Sequence, residues 1–382
     1  MANRPLFVPQ QAGRDSADTA RVLLVDDSVV ARAVIARTID ASDRFSVVGA
    51  VGTAAAALAF LDRTTVEFIL LDLEMPGMDG LTALPALIAA GRGAKVLVVS
   101  SSADEGGPKA MQALALGAAE TLIKPSAGAL SGRFGGLLMS KLDKLHEEPT
   151  QSPPVALVRS TPRTGSVADA RSLPATLVTD DASIPRVSPS EDYDIVAIGA
   201  STGGIHAISQ MFRAVPAGFR LPIVITQHLP TSFMPYFAAQ IALLAGRPCE
   251  VATDRLRIRP GRIIVAPGDA HLKCVKLRDG GAAFRLTHES VGSGCMPSVD
   301  PMLATIADVY GKRVLAIVLS GMGRDGAEGA QRIHEAGGCV VAQDRDSSVV
   351  WGMPGAVVSS GVADAVLPPA AIGTLIASRR RP

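Results

Sequence analysis

Two groups of residues in this 382-residue chain combine types and spacings that can do chemistry. The first is acidic. Asp26 and Asp27 follow one short apolar run, Asp72 another, Ser100 a third and Lys124 a fourth. Three carboxylates can hold Mg²⁺, a hard cation that takes oxygen ligands and offsets their mutual repulsion. A carboxylate such as Asp72 can then attack phosphorus and form an aspartyl phosphate. The metal and the Lys124 ammonium would stabilise the charge on the transferring phosphoryl, and the Ser100 hydroxyl can donate to one of its oxygens. A single aspartate after a strand is better read as a turn former. Several reactive groups, each ending its own strand, favour the chemical reading.

The second group is Ser201, His228 and Asp325. Ser201 lies in Ile198-Gly199-Ala200-Ser201-Thr202-Gly203-Gly204, between a strand-like run and a helix-like run. Two readings compete there: a phosphate cradle at a helix N-terminus, or a nucleophile on a tight strand-to-helix turn. The segment lacks a Walker lysine, G-x-G-x-x-G and G-x-S-x-G, so alone it favours neither. His228 closes the run Ile225-Thr226-Gln227, and Asp325 lies in the Gly-rich turn after Val318-Leu319-Ser320. Nucleophile, base and orienter of an acyl transfer would then share one sheet edge, the feature that identifies such triads whatever their chain order.

The elements that would position these groups follow from apolar patterning. Strands are expected at 21–25, 47–51, 68–71, 95–99 and 121–123, and again at 194–199, 222–227, 262–266, 314–320 and 339–343. Helical stretches lie between them, including 54–62, 205–214, 232–244, 298–310 and 327–336. This alternation implies βαβ units and parallel sheets with right-handed crossovers. In such sheets, ligands sit beyond the carboxyl ends of the strands. The fold class expected is α/β, with two doubly wound parallel-sheet domains, the first flavodoxin-like and the second Rossmann-like. Residues 147–191 are dominated by Pro, Ser, Thr, Arg and Asp without a persistent stripe, the composition of a disordered linker. The division expected is a flexible arm at 1–20, one domain at 21–145, a linker at 146–192 and a second domain at 193–382.

Hydrophobic residues make up 48% and charged residues 19% of the sequence, and the net charge is +1, which carries no footprint for nucleic acid or direct membrane insertion. The four cysteines show no C-x-x-C pair, against a disulfide framework or structural zinc. No apolar run has membrane-spanning length and no secretory h-region opens the chain, so a cytoplasmic setting is expected. Cys295, near Pro297-Ser298-Val299-Asp300, reads as a small side chain at the rim of the second site, with Asp300 as a lining residue of the cleft. His206, His271, His288 and His334 lack partners at strand ends and read as structural or surface groups.

The motifs Leu24-Val25-Asp26-Asp27-Ser28, Leu71-Asp72 through Gly80, Val99-Ser100-Ser101 and Ile123-Lys124-Pro125 resemble the receiver domain of two-component response regulators. That resemblance implies phosphorylation on Asp72. It implies Mg²⁺ held by Asp27, Asp72 and the backbone carbonyl of Glu74, with Asp26 assisting, and switching through Ser100 and Lys124. Gly199-Ala200-Ser201-Thr202-Gly203-Gly204, Gln227-His228-Leu229-Pro230, Ala266-Pro267-Gly268, Pro297-Ser298-Val299-Asp300 and Gly321-Met322-Gly323-Arg324-Asp325-Gly326 resemble the catalytic domain of chemotaxis protein-glutamate methylesterases (CheB). An N-terminal receiver joined to this domain is that family's architecture.

The resemblance implies Ser201 as nucleophile, His228 as general base and acid, Asp325 as its partner, the Met322 N–H as oxyanion donor and Thr202 as a positioning group. It also implies phosphorylation-activated hydrolysis of glutamate methyl esters on chemotaxis receptors, deamidation of selected glutamines, and a histidine kinase of the chemotaxis type as phosphodonor. No cofactor is expected for the esterase itself. The chain departs from the family pattern at Arg324, where Asn is common, and at Ile205-His206, where a polar pair is usual.

Overall fold

The computed structural model describes residues 19–100, 107–124, 133–146 and 193–382. The expected arm up to Asp18, the expected linker over 147–192, and Ser101 and Pro125 of the motifs lie outside these residues.

Short apolar runs form fully buried strands, and polar caps start the helices that cross between them. The first sheet comprises β1 (Ala20–Val25), β2 (Phe45–Val51), β3 (Phe68–Asp72), β4 (Lys95–Ser100) and β5 (Glu120–Ile123), ordered β2-β1-β3-β4-β5, with every pairing parallel. Its helices are α1 (Val29–Asp40), α2 (Ala54–Leu61), α3 (Gly80–Gly91), α4 (Pro108–Leu116) and α5 (Arg133–His146). Ser28, Thr53 and Asp79 cap α1, α2 and α3 by accepting from the N–H three residues on, which satisfies donors that have no partner within the helix. The strand order reverses between β1 and β3, so the helices that follow them diverge and leave a crevice at their carboxyl ends.

The second sheet has seven parallel strands, ordered β14-β13-β12-β6-β7-β9-β8: β6 (Ile195–Ala200), β7 (Ile223–Gln227), β8 (Cys249–Val251), β9 (Ile263–Val265), β12 (Val314–Val318), β13 (Cys339–Gln343) and β14 (Ala365–Leu367). The helices are α6 (Gly204–Phe212), α7 (Met234–Ala245), α8 (Val299–Tyr310), α9 (Ala327–Glu335), α10 (Gly352–Ser359) and α11 (Pro369–Ser378). The chain enters at the central β6, builds outward through β7, and returns on the other side at β12. The switch point therefore falls between β6 and β12. An antiparallel hairpin of β10 (His271–Lys276) and β11 (Ala282–Thr287) stands outside this sheet. The Cys274 N–H in β10 donates to Thr305 Oγ1 of α8 at 2.9 Å. Sequence patterning had not separated this hairpin, β8, β14, α10 or α11 from loop.

Among the described residues, the two units meet along α4, which packs against α6 and α7, and at Val350. The Ala115 carbonyl of α4 lies 3.0 Å from His206 Nδ1 of α6. Val350, with Met322 and Val349 packed against it, belongs to a buried cluster otherwise drawn from the first sheet, α1 and α5.

Close packing at the switch point constrains sequence. A Cβ on Gly199 would lie 2.4 Å from Val299 Cγ1, so β6 and α8 are in contact that admits no side chain. Gly199→Ala should lower stability by about 1–3 kcal/mol, the usual cost of overpacking, read as a lower midpoint in urea unfolding followed on the second domain. An unchanged midpoint would show that α8 yields freely.

Candidate functional site

The first site gathers at the carboxyl edge of its sheet. Asp26 follows β1, Asp72 ends β3, Ser100 ends β4, and Lys124 follows β5. Donor oxygens of Asp26, Asp27 and Asp72 lie within 4.8 Å of one another, with Asp27 exposed and the other two buried. Lys124 Nζ sits 2.5 Å from Asp26 Oδ2 and 2.6 Å from Asp72 Oδ2. Burial raises the Asp72 pKa, opposed by the Lys124 hydrogen bond and the Glu74 N–H, with the Asp26 charge adding to the rise. Burial alone would lower that of Lys124; the two carboxylates raise it. The Glu74 N–H donates to Asp72 Oδ1 at 3.1 Å, holding the loop after β3 against the carboxylate. Ser100 is buried, and its carbonyl accepts from the Lys124 N–H at 2.7 Å. This oxygen-only donor set with one face open to solvent fits Mg²⁺. The cation would share Asp26 and Asp72 with Lys124.

The second site is built on the turns after β6, β7 and β12. Ala200 and Gln227 are register partners, so Ser201 and His228, the next residues on neighbouring strands, emerge side by side. Gly203, at φ 77°, makes the turn from Ser201 into α6, a conformation that costs glycine little. Gln227 Nε2 donates to the Ser201 carbonyl at 2.8 Å, and the Ser201 N–H donates to the Ser320 carbonyl at 3.0 Å. Ser320 is fully buried. Its N–H donates to Gln343 Oε1 at 2.8 Å, and its hydroxyl donates to the Thr202 carbonyl at 2.8 Å and accepts from the Val350 N–H at 3.1 Å. The Gly321 backbone packs against Ser201, since a Cβ on Gly321 would lie 2.7 Å from Ser201 Cβ. Among the described residues, the Met322 N–H beside it has no internal acceptor.

Asp325 is the most heavily bonded group of the site and is 1% exposed. His228 Nε2 donates to its Oδ2 at 2.7 Å, and the Val299 N–H donates to the same oxygen at 2.7 Å. The Ser298 hydroxyl donates to Oδ1 at 2.6 Å and the Asp300 N–H to Oδ1 at 3.3 Å. Burial opposes the charge, but His228, the Ser298 hydroxyl and the Val299 N–H hold this carboxyl well below the usual carboxylate range. Burial would likewise lower the His228 pKa; Asp325 and the Cys295 thiol outweigh it and raise it to about 9. With Nε2–H directed at Asp325, Nδ1 is the nitrogen left for proton transfer. Among the described residues, the Ser201 hydroxyl makes no hydrogen bond.

Several of these groups escaped the sequence reading. Ser298 and Gln343 lie one residue before a helix and at a strand end, where ordinary capping and packing explain them equally well. His271 is buried; its Nδ1 accepts from the Ser298 N–H at 3.0 Å and its Nε2 lies 2.9 Å from the Glu289 carbonyl, a structural role as expected. Asp300 was expected to line the cleft. It lines an open cavity of about 450 Å³, and its carboxylate accepts from the Gly329 N–H of α9 at 2.7 Å. Burial pushes it up to about 7 against the Gly329 N–H, with the Asp325 and Glu328 charges adding. Cys295, expected as a small side chain at the rim, brings its sulfur within 4.8 Å of a His228 ring nitrogen. Arg324, the expected departure, sits on the exposed side of the turn that carries Asp325.

Two outcomes are expected. An NMR titration of the His228 ring should show a midpoint well above the ordinary 6.5, and Asp325→Asn should bring it down, because burial remains while the opposing charge is gone. Asp300→Ala should cost about 1–3 kcal/mol in urea unfolding, the range for a buried donor left unpaired; Asp300→Asn, which keeps an acceptor for Gly329, should recover most of it.

Comparison with known proteins gives the family. Residues 196–376 match the family model described as CheB methylesterase, and residues 22–130 match the response regulator receiver domain. The chain is 41% identical over 358 residues to "Protein-glutamate methylesterase/protein-glutamine glutaminase 1" of Paramagnetospirillum magneticum, covering 92% of this chain and 93% of that protein. It is 41% identical over 360 residues to the protein of the same name from Rhodospirillum rubrum, covering 91% and 92%. Among solved structures, the CheB methylesterase catalytic domain of Thermotoga maritima aligns with a TM-score of 0.47 at 35% identity, over 48% of this chain and 97% of that one. The chain belongs to the CheB methylesterase family, with a response regulator receiver domain on the N-terminal side of its catalytic domain.

Proposed function

We propose that this protein hydrolyses glutamate methyl esters on methyl-accepting chemotaxis receptors through Ser201, His228 and Asp325, under control of phosphorylation at Asp72. The observation that carries the reading is the 2.7 Å bond from His228 Nε2 to the buried Asp325 carboxylate, on the strand next to Ser201. Neutral His228 accepts the Ser201 proton at Nδ1 as Oγ attacks the γ-carbonyl of the ester. Asp325 stabilises the imidazolium that forms and fixes its tautomer. The Met322 N–H, without an internal acceptor among the described residues, receives the developing oxyanion, a donor of a kind worth about 3–4 kcal/mol of barrier. Thr202, held through its carbonyl by Ser320, positions the turn. His228 returns the proton to the leaving methanol, and a water then hydrolyses the acyl-enzyme with the same base. Glutamine amides present the same carbonyl to the same groups, which accounts for glutaminase activity on selected side chains.

In the receiver, Asp72 is the acceptor for a phosphoryl group from a chemotaxis-type histidine kinase. Asp26, Asp27, Asp72 and the Glu74 carbonyl would hold Mg²⁺, which supplies charge stabilisation for the transfer. Lys124, now bound to Asp26 and Asp72, would re-pair with the phosphoryl oxygens, with Ser100 donating beside it. The contact of Val350 and Met322 with the receiver cluster supports control of access to the catalytic edge. A cytoplasmic location follows from receptor and kinase partners of this kind; no described helix is long and apolar enough to cross a membrane.

Methanol release from methylated receptor membranes tests both halves. It should rise when a small phosphodonor is added with Mg²⁺, lose that rise in Asp72→Asn, and fall to background in Ser201→Ala. Release that survives Ser201→Ala would overturn the catalytic assignment; release indifferent to the donor would overturn receiver control. Because only neutral His228 can accept the Ser201 proton, kcat/KM should climb with pH through the His228 titration rather than level off near pH 7.

A further inference from the structure

Beside His228 and Asp325 lies a third donor, Cys295, that hydrolysis does not require. The Cys295 sulfur, a ring nitrogen of His228 and a carboxylate oxygen of Asp325 all lie within 4.8 Å of one another. Thiolate, imidazole and carboxylate are the three ligand types of zinc sites. Cys295 is half-buried, on the loop that leads to the Met296-Pro297 turn and α8, so the set is reachable from solvent on its sulfur side.

We propose that Cys295, His228 and Asp325 form a binding site for a borderline-soft divalent cation of the Zn²⁺ type, and that occupancy switches the hydrolase off. The inference rests on the catalytic roles proposed above for its inhibitory consequence, though not for the binding itself.

The remaining features of the site agree with such a ligand. Asp325 keeps three protein donors, the Ser298 hydroxyl and the Val299 and Asp300 N–H groups, whatever happens at His228. A metal can therefore take the place of the proton that Nε2 shares with Oδ2 without freeing the carboxylate from its anchor. The two atoms, 2.7 Å apart, need part by less than about 1 Å to accept Zn–N and Zn–O bonds of about 2.0–2.2 Å. One thiolate and one carboxylate balance the charge of the cation. Starting from the imidazolium, which carries a hydrogen on each ring nitrogen, the thiol proton and the Nε2 proton leave as the metal enters, and a water completes four-coordination. The ring then carries its remaining hydrogen on Nδ1, the nitrogen that must be bare to receive the Ser201 proton, so the bound enzyme has no base.

The other three cysteines do not compete. Burial pushes the thiols of Cys249, Cys274 and Cys339 up to about 12, which keeps them protonated and poor ligands. The receiver site does not compete either. Its donors are all oxygen and suit a hard cation. One chain would thus respond oppositely to two classes of metal: Mg²⁺ through the receiver carboxylates and a zinc-like ion through the catalytic histidine.

The test uses Co²⁺ as a spectroscopic stand-in on the full chain, in excess Mg²⁺. Near one equivalent should give the intense near-ultraviolet band of thiolate-bound cobalt, discharged by Zn²⁺, present in Cys249→Ser and absent in Cys295→Ser. A cobalt complex without that band, or a band that persists in Cys295→Ser, would overturn the site whether or not the protein is a methylesterase. For the inhibitory consequence, methanol release is measured against Zn²⁺, each variant relative to its own metal-free rate. The half-inhibitory concentration should rise at least tenfold in Cys295→Ser; equal potency in both proteins would overturn the switch. Circular dichroism of Cys295→Ser matching that of the parent chain separates loss of a ligand from loss of the fold.

Discussion

A carboxylate held charged at 1% exposure is the constraint around which the catalytic domain is arranged. An ion in that position is costly unless its lone pairs are met by well-placed donors. The chain meets them with the first turn of α8, whose Ser298 hydroxyl and Val299 and Asp300 N–H groups point at Asp325, at the end of the helix where partial positive charge accumulates. The arrangement is reciprocal. Asp325 precedes α9 and binds the N-terminus of α8; Asp300 belongs to α8 and binds the Gly329 N–H in the first turn of α9. Each helix holds the start of the other. The outer hairpin joins the same frame, because His271 at the head of β10 fixes the Ser298 N–H. The direction of His228 thus depends on elements that never approach the substrate.

The receiver faces the same electrostatic problem and solves it in another way. Asp26 and Asp72 are buried and close; each accepts one backbone N–H, from Ser28 and Glu74, and the two share the ammonium of Lys124. A lysine on a flexible stem is an exchangeable counter-ion. When a cation or a phosphoryl group alters the local charge, it can re-pair without unfolding its strand. Fixed donors suit a pair that must keep one geometry through a reaction. A movable cation suits a site whose charge is meant to change.

How much of this was legible beforehand follows from the range of each interaction. Strand-end placement of Asp26, Asp72, Ser100, Lys124 and His228 came from apolar runs ending at polar residues, a local pattern. The parallel topology followed from alternation with helices. The hairpin of β10 and β11 did not, because its burial pattern answers to α8 and not to a sheet. Ser298, Asp300, Gln343 and His271 carry no local mark of their roles: each is bonded to a residue 23 or more positions away. Cys295 reads as a small side chain at the rim because a lone cysteine in sequence gives no sign of a histidine 67 positions earlier folding against it.

Ser320 shows why the two units need not communicate over a distance. Its single hydroxyl bonds the Thr202 carbonyl in the nucleophile turn and the Val350 N–H in the segment that meets the receiver. Val350 is buried in a cluster with α1, α5 and the strands that end in Asp26, Asp72 and Lys124, and Gly321 pairs with Trp351 immediately beyond it. The surface pressed by the receiver and the turn that carries Ser201 are therefore one hydrogen-bonded layer, one residue thick. The buried hydroxyl of Ser320 is a single atom that joins the segment that meets the receiver to the turn that carries Ser201.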